Sequence, residues 1–93
     1  MQFLIIARDQ ADAAERRKQF RPEHIANLRR VKATGNFILG GALLDGDGEM
    51  CGSAMIVDFN DRATLDAWLK DEPFIREKVW GQIEIHPYRV APV

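Results

Sequence analysis

The middle of the chain carries two apolar, β-prone runs, at residues 37–44 and 51–59, separated by a short polar segment. That segment, residues 45–49, reads Asp-Gly-Asp-Gly-Glu, and Asp-Gly pairs favour a tight reversal of the chain. The sequence therefore predicts an antiparallel hairpin in the middle of the fold. The same segment lacks the twelve-residue ligand pattern of a calcium loop, so we interpret it as a turn.

A strand and a helical region precede the hairpin. Residues 2–8 form a short apolar run typical of a buried strand, and residues 11–35 have helical spacing. Pro22 divides this region, because proline favours the first position of a helix and disfavours helical geometry in the residue before it. We therefore expect a short helical turn near residues 11–19 and a separate main helix that begins at about Pro22.

A helix and a final strand follow the hairpin. Asn60 or Asp61 can cap a helix that must end before Pro73, after which a short helical turn can begin. Residues 79–90 predict the last strand, with Ile83 and Ile85 on one side and Trp80, Glu84 and Tyr88 on the other.

The resulting order, βαββαβ, predicts an α+β fold of the ferredoxin-like kind, with an antiparallel sheet and both helices on one face. A chain of 93 residues fits a single domain, spanning residues 1–93. Two helices cover one face only, whereas the first strand has Phe3 and Ile5 on one side and Leu4 and Ile6 on the other. We therefore expect a homodimer that buries the open sheet face against a second copy of the chain.

Composition limits the class of partner. The 13 basic and 14 acidic residues give a net charge of -1, without the positive excess typical of nucleic-acid binding. The lone Cys51 fits a reducing compartment, and no apolar run is long enough for a signal peptide or a membrane span. We expect a cytoplasmic protein with neither nucleic-acid nor membrane partners. The two histidines lack zinc-site spacing, and no metal site is expected.

His24 is the first candidate functional residue. It lies one helical turn before Leu28 on the stripe expected to face the sheet. A histidine there can be a structural residue bonded to a backbone carbonyl, or a general base whose other ring nitrogen is held by a carboxylate. Asp71 and Glu72, just before Pro73, are the candidate carboxylates, although an acidic residue at this place can also simply cap the next helical turn.

Three further residues are candidates for binding a ligand. Ser53, at the start of the third strand, can donate a hydrogen bond into a cleft or lie solvated at the strand edge. Arg17 and Arg21 precede His24 and can form the cationic rim that an anionic or phenolate ligand needs, or remain on the surface. Cys51 is expected to be a small core residue.

Taken together, these residues resemble the YciI-like (YCII-related) family. The matching segments are Arg17, Arg21-Pro22-Glu23-His24-Ile25, Gly40-Gly41-Ala42-Leu43, Gly52-Ser53, Glu72-Pro73-Phe74 and Ile85-His86-Pro87-Tyr88. The resemblance implies a dimeric α+β barrel in which a histidine of the first long helix and an aspartate of an Asp-Pro-aromatic motif form a suspected catalytic dyad. His24 matches the histidine, and Glu72 stands in place of the aspartate with one methylene more.

The resemblance also implies proton-transfer chemistry without a cofactor, since related activities include dehydrochlorination of a chlorinated hydroxyhydroquinone and muconolactone isomerisation. The expected function is a lyase or isomerase acting on a small polar, aromatic or enolisable metabolite. His24 and Glu72 are its expected catalytic residues, and Ser53, Arg17 and Arg21 its substrate-binding residues. The alternative is a non-catalytic module that binds a small molecule or a protein partner.

Overall fold

The computed structural model describes residues 1–93. Its strands are β1 (Gln2–Asp9), β2 (Phe37–Leu44), β3 (Met50–Asp58) and β4 (Trp80–Tyr88). Its helices are α1 (Ala14–Ala33), α2 (Arg62–Lys70) and α3 (Pro73–Arg76). The four strands form one antiparallel sheet in the order β2-β3-β1-β4, which confirms the predicted ferredoxin-like α+β fold.

The core lies between one face of this sheet and the helices. Phe3, Ile5 and Ala7 of β1 alternate with half-buried residues and are nearly or fully buried, as the period of two along a strand requires. Apolar residues of α2 and α3 pack against them and complete a cluster that includes Leu65, Leu69 and Phe74. Asp61, rather than Asn60, caps α2, because its Oδ1 accepts the backbone N–H of Thr64 at 2.8 Å.

The predicted break at Pro22 is wrong, since α1 continues through this residue for 20 residues. A proline inside a helix costs about 3 kcal/mol through a lost hydrogen bond and a clash with the preceding turn. Tertiary contacts on both sides of Pro22 offset this cost. On the N-terminal side of Pro22, Arg17 binds Asp9. On the C-terminal side, His24 binds Glu72, so both halves of the helix are held in place.

The predicted hairpin between β2 and β3 is present and is held by its first aspartate. Asp45 Oδ1 accepts the backbone N–H groups of Asp47 at 2.8 Å and Glu49 at 3.0 Å. Gly48 has a φ of 79°, a left-handed conformation that glycine adopts without strain. The Asp-Gly pattern thus acts through a side-chain-to-backbone turn.

Trp80 lies on the opposite side of β4 from the one predicted. Arg8 pairs with Gln82 and Asp9 with Trp80, so Gly81 is an extra residue on β4 at this point. Such a bulge changes which face the following side chains occupy. It places Trp80 on the helix side, where the residue is buried in the core.

The other sheet face is covered by no helix. Leu4 of β1 pairs with Ile56 of β3, and Ile56 pairs with Leu39 of β2, which places three large apolar side chains side by side. Leu39 is 59% exposed, and the other two are half-buried. None of the helices is long and apolar enough to cross a membrane.

Candidate active site

His24 and Glu72 form a buried pair between α1 and the start of α3. His24 is 5% exposed and Glu72 is fully buried, and His24 Nδ1 contacts Glu72 Oε1. With Glu72 ionised, its carboxylate only accepts hydrogen bonds, and the hydrogen in this contact then belongs to Nδ1. The neutral ring then has its lone pair on Nε2, which is the state required of a general base.

Glu72 has a second role at the same time. It is the N-cap of α3, and its Oε2 accepts the backbone N–H of Phe74 at 2.6 Å. The capping and pairing roles, which were alternatives from sequence, are therefore filled by the two oxygens of one carboxylate. Asp71 is exposed at the end of α2 and makes no side-chain hydrogen bond, so the structure brings Glu72 rather than Asp71 to His24.

Aromatic rings fix the plane of the His24 imidazole. Its ring stacks on Phe74 with centroids 4.0 Å apart and an interplanar angle of 10°, and Trp80 contacts it edge-on at 5.7 Å. Nε2 makes no hydrogen bond within the chain and is not among the buried atoms that lack a partner, so it keeps contact with solvent. The imidazole therefore has one anchored nitrogen and one accessible nitrogen.

Ser53 and Arg17 lie beside the pair in a buried polar cluster. Arg17 binds Asp9 through two hydrogen bonds, of 2.6 and 3.0 Å, and donates a third to Ser53 Oγ at 2.9 Å. Trp80 Nε1 donates to the same oxygen at 3.1 Å. Ser53 and Arg17 are both buried, which excludes the alternatives of a solvated strand-edge serine and a surface arginine.

A pocket of about 160 Å³ opens between α1 and the strands β2 and β3. Gly40 contributes to its wall, where an added Cβ would lie 2.8 Å from the Cβ of Met55, so a side chain does not fit at this position. The pocket brings together His24, Ser53, Arg17 and Arg21 from the predicted set. Its remaining lining residues are Ile25, Leu28, Phe37, Gly40, Gly41, Ala42 and Met55.

A wider groove of about 600 Å³ adjoins this pocket and shares Arg17 and Arg21 with it. Arg17 is neutralised by Asp9, whereas Arg21 is exposed and has no ion-pair partner. Arg21 is therefore the cation available to a ligand that spans both spaces. Cys51 lies half-buried on the groove, so it is not the core residue expected from the sequence.

An exposed ion pair also joins α1 to α3. Arg76 binds Glu23, the residue directly before His24, at 2.7 Å, and it binds Glu77 at 2.9 Å. The hydrogen bonds that the Arg76 guanidinium donates to Glu77 and then to Glu23 raise its pKa above the ordinary value. This contact reinforces the approach of the two helices that carry His24 and Glu72.

Four residues of the site have roles that sequence reasoning missed. Asp9 lies just beyond the first strand predicted at residues 2–8, and Trp80 is predicted on the other side of β4. Phe74 entered only as part of a motif, and Asn27, whose Nδ2 lies 3.5 Å from Glu72 Oε1, had no signal beyond its position three residues after His24. No group of three His, Cys, Asp or Glu residues is arranged to hold a metal ion.

The chain matches a known protein family over most of its length. The model of the YCII-related domain matches residues 1–89. The chain belongs to this family. Protein YciI of Escherichia coli O6:H1 is 26% identical over 95 residues, which cover 96% of this chain and 97% of that protein.

Solved structures share the fold of this YCII-related protein at low sequence identity. The 5-chloro-2-hydroxyhydroquinone dehydrochlorinase TftG of Burkholderia phenoliruptrix AC1100, in complex with 2,5-dihydroxybenzoquinone, has a TM-score of 0.89 and 22% identity, covering 98% of this chain and 96% of that one. SnoaB, a cofactor-independent oxygenase of Streptomyces nogalater, has a TM-score of 0.54 and 14% identity, covering 98% and 94%.

Proposed function

We propose that this protein is a cofactor-independent lyase or isomerase in which His24 is the general base and Glu72 orients it. One observation carries the proposal: His24 Nδ1 is held by a buried carboxylate, while the other nitrogen is accessible in a residue that lines a pocket. A carboxylate in this position fixes the tautomer and stabilises the imidazolium that forms when Nε2 accepts a proton.

The proposed reaction moves a proton and needs no redox step. His24 Nε2 takes a proton from a hydroxyl or an acidic carbon of the substrate, which leaves an oxyanion that Ser53 and Arg21 stabilise. In a lyase acting on a chlorinated hydroxyhydroquinone, the imidazolium returns the proton to the ring carbon that bears chlorine, which gives a keto tautomer. A second ring hydroxyl then loses its proton to Nε2, and its electron pair forms a carbonyl and expels chloride, so that HCl is lost in total. In an isomerase, the imidazolium returns the proton to a different atom of the same molecule.

The size of the pocket supports a small ring as substrate. A volume of about 160 Å³ resembles that of an engineered cavity, about 150 Å³, that takes up benzene. Apolar side chains line part of the pocket, and the polar groups of His24, Ser53 and Arg21 can orient a hydroxylated ring. The likeness in fold to a dehydrochlorinase solved with 2,5-dihydroxybenzoquinone agrees with this substrate class.

The proposal includes a homodimer that packs through the open sheet face. Leu4, Ile56 and Leu39 form an apolar strip that no helix of the chain covers. A symmetric dimer buries such a strip against its own copy. A cytoplasmic location stays a prediction based on the lone Cys51.

The second candidate is a binding module without catalysis. The structural contacts of the pair favour it, since Glu72 caps α3 and His24 packs on Phe74. A buried polar pair with these contacts stabilises the fold whether or not a reaction occurs. The two candidates differ in whether replacing His24 removes turnover.

Turnover of 5-chloro-2-hydroxyhydroquinone, followed by chloride release, tests the proposal. Wild-type protein is compared with His24→Gln and with Asp71→Asn, a control because Asp71 is exposed and makes no side-chain hydrogen bond. We expect His24→Gln to lower turnover by about 10² to 10⁴ and Asp71→Asn to leave it unchanged. Equal rates in all three proteins would exclude His24 as the base. Absence of turnover with this compound and with a panel of enolisable hydroxyquinones and lactones would favour the binding module.

A further inference from the structure

We infer that the Ser53 hydroxyl is a one-directional hydrogen-bond donor to the ligand, and that the ligand atom it selects is an oxygen acceptor such as an oxyanion or carbonyl. Asp9 is the positioning residue behind this arrangement. The inference rests on the proposed function in that the pocket beside His24 is the ligand site. It adds the chemical class of the group that the site recognises.

Two donors of the chain occupy the lone pairs of Ser53 Oγ. A hydroxyl has two lone pairs and one hydrogen. Arg17 donates to this oxygen at 2.9 Å and Trp80 Nε1 donates to it at 3.1 Å, so both lone pairs are occupied. Guanidinium and indole N–H groups only donate, which means that neither can receive the hydroxyl hydrogen in return.

The second step concerns the remaining hydrogen of Ser53. The hydroxyl donates to no acceptor of the chain, although the residue is only 3% exposed. Ser53 lines the pocket that also contains His24. With its lone pairs engaged on the side of Arg17 and Trp80, the hydroxyl directs its hydrogen to the remaining side, where a ligand in the pocket can accept it.

Asp9 and the bulge in β4 fix the orientation of the two donors to Ser53. Asp9 binds Arg17 through both carboxylate oxygens, a geometry that holds the planar guanidinium in one orientation. The bulge at Gly81 turns Trp80 toward the same oxygen. Because Asp9 also neutralises Arg17, the cluster contributes direction to the Ser53 hydrogen rather than a net positive charge.

The consequence is a specific rule for ligands. A ring that presents an oxygen acceptor to Ser53 gains a hydrogen bond from a preorganised donor. A ring of the same size that presents an amine directs its own N–H hydrogens at the Ser53 hydrogen, so no hydrogen bond forms. Sites built on one hydrogen-bonding group discriminate strongly against analogues that lack the complementary group.

The test is a binding comparison of para-chlorophenol and para-chloroaniline, two uncharged probes with the same ring and chlorine, of which only the phenol has an oxygen. Their dissociation constants are measured by calorimetry at neutral pH for the wild-type protein, Ser53→Ala and Asp9→Asn. We expect wild-type protein to bind para-chlorophenol about tenfold more tightly than para-chloroaniline. In Ser53→Ala the ratio falls to about one, because the phenol oxygen loses the hydroxyl that donates to it.

Asp9→Asn separates positioning from simple support of the fold. The asparagine keeps the size of the side chain but loses one carboxylate oxygen, so Arg17 and Ser53 gain alternative orientations. The ratio between the two probes is expected to fall, whereas general loosening of the pocket weakens both probes equally and leaves the ratio unchanged. Trp80→Phe, which frees one lone pair of Ser53, is expected to lower the ratio by improving the binding of para-chloroaniline.

Each outcome decides the inference independently of catalysis. Equal affinities of the wild-type protein for the two probes, a ratio that survives in Ser53→Ala, or no binding of either probe would overturn it. A tenfold ratio that disappears in Ser53→Ala supports it even when no compound is turned over. In that case the proposed lyase or isomerase activity fails and the donor role of Ser53 stands.

Discussion

The carboxylate of Glu72 joins His24 in the middle of α1 to the first turn of α3. Oε1 holds the histidine Nδ1, and Oε2 accepts the Phe74 backbone N–H. A glutamate, one methylene longer than the aspartate that the family resemblance implies, satisfies both groups in this chain. Orientation of His24 and stability of the fold therefore depend on the same side chain.

Glu72→Gln is expected to lower the free energy of unfolding by about 1–3 kcal/mol, because a buried amide cannot accept hydrogen bonds on both of its terminal atoms. Urea unfolding of the variant and the wild-type protein measures the change. Asp71→Asn is the matched control, since the neighbouring carboxylate is exposed, and we expect its effect to stay within about 0.5 kcal/mol. Equal effects of the two substitutions would show that Glu72 has no special structural role.

Pro22→Ala is expected to stabilise the protein by about 1–2 kcal/mol. The substitution restores a helical hydrogen bond in the interior of α1. Without proline the unfolded chain has more conformational freedom, and this offsets part of the gain in stability. Gln19→Ala, at an exposed position one turn earlier, controls for helix propensity alone. A decrease in stability would mean that the proline imposes a curvature of α1 that its packing requires.

The capping of α2 predicts a defined response to acid. The Thr64 backbone N–H, followed by its hydroxyl, lowers the pKa of Asp61 below its ordinary value of 3.8. Because the pKa is lower in the folded state, ionised Asp61 stabilises the protein above about pH 3.8, and this contribution disappears as the pH falls through the lowered pKa.

Asp61→Asn isolates this contribution, because asparagine also caps helices but does not titrate in this range. Thermal unfolding of both proteins across acidic pH measures it. We expect the melting temperature of the wild-type protein to fall relative to that of the variant once the pH drops below about 3.8, the ordinary pKa of an aspartate. A difference that is constant with pH would contradict the role of the charged cap.

The open sheet face predicts the effect of a charge at its centre. Ile56 lies between Leu4 and Leu39, and Ile56→Asp is expected to convert the proposed homodimer into a monomer by size-exclusion chromatography with light scattering. Ala67→Asp, on the exposed side of α2, serves as the control and is expected to remain dimeric. A wild-type monomer at every concentration would refute the dimer.

The sequence was sufficient for the order of elements, because the Asp-Gly turn and the change from strand to helical spacing are local signals. It failed at Pro22, where tertiary contacts of Arg17 and His24 outweigh a local preference. It failed again at Trp80, since a bulge depends on the register between β1 and β4 and has no local signature.

The candidate site divides in the same way. Family resemblance pointed to His24 and Glu72, and the structure brings them together. The contact of Asp9 with Arg17 depends on how the loop between β1 and α1 turns the helix, and that of Trp80 with Ser53 depends on the bulge, so no sequence spacing indicated them. Their role becomes visible only in the structure, where Arg17 and Trp80 both donate to Ser53 Oγ.

The most direct test of the account is nitrogen-15 NMR of the His24 imidazole, assigned by comparing wild-type protein with His24→Gln, since the chain has only two histidines. The account predicts that the neutral ring carries its hydrogen on Nδ1 and that Nε2 gains a hydrogen when para-nitrophenol is added. A neutral ring with its hydrogen on Nε2, or an Nε2 signal that does not respond to the phenol, would contradict the assignment of His24 as the general base.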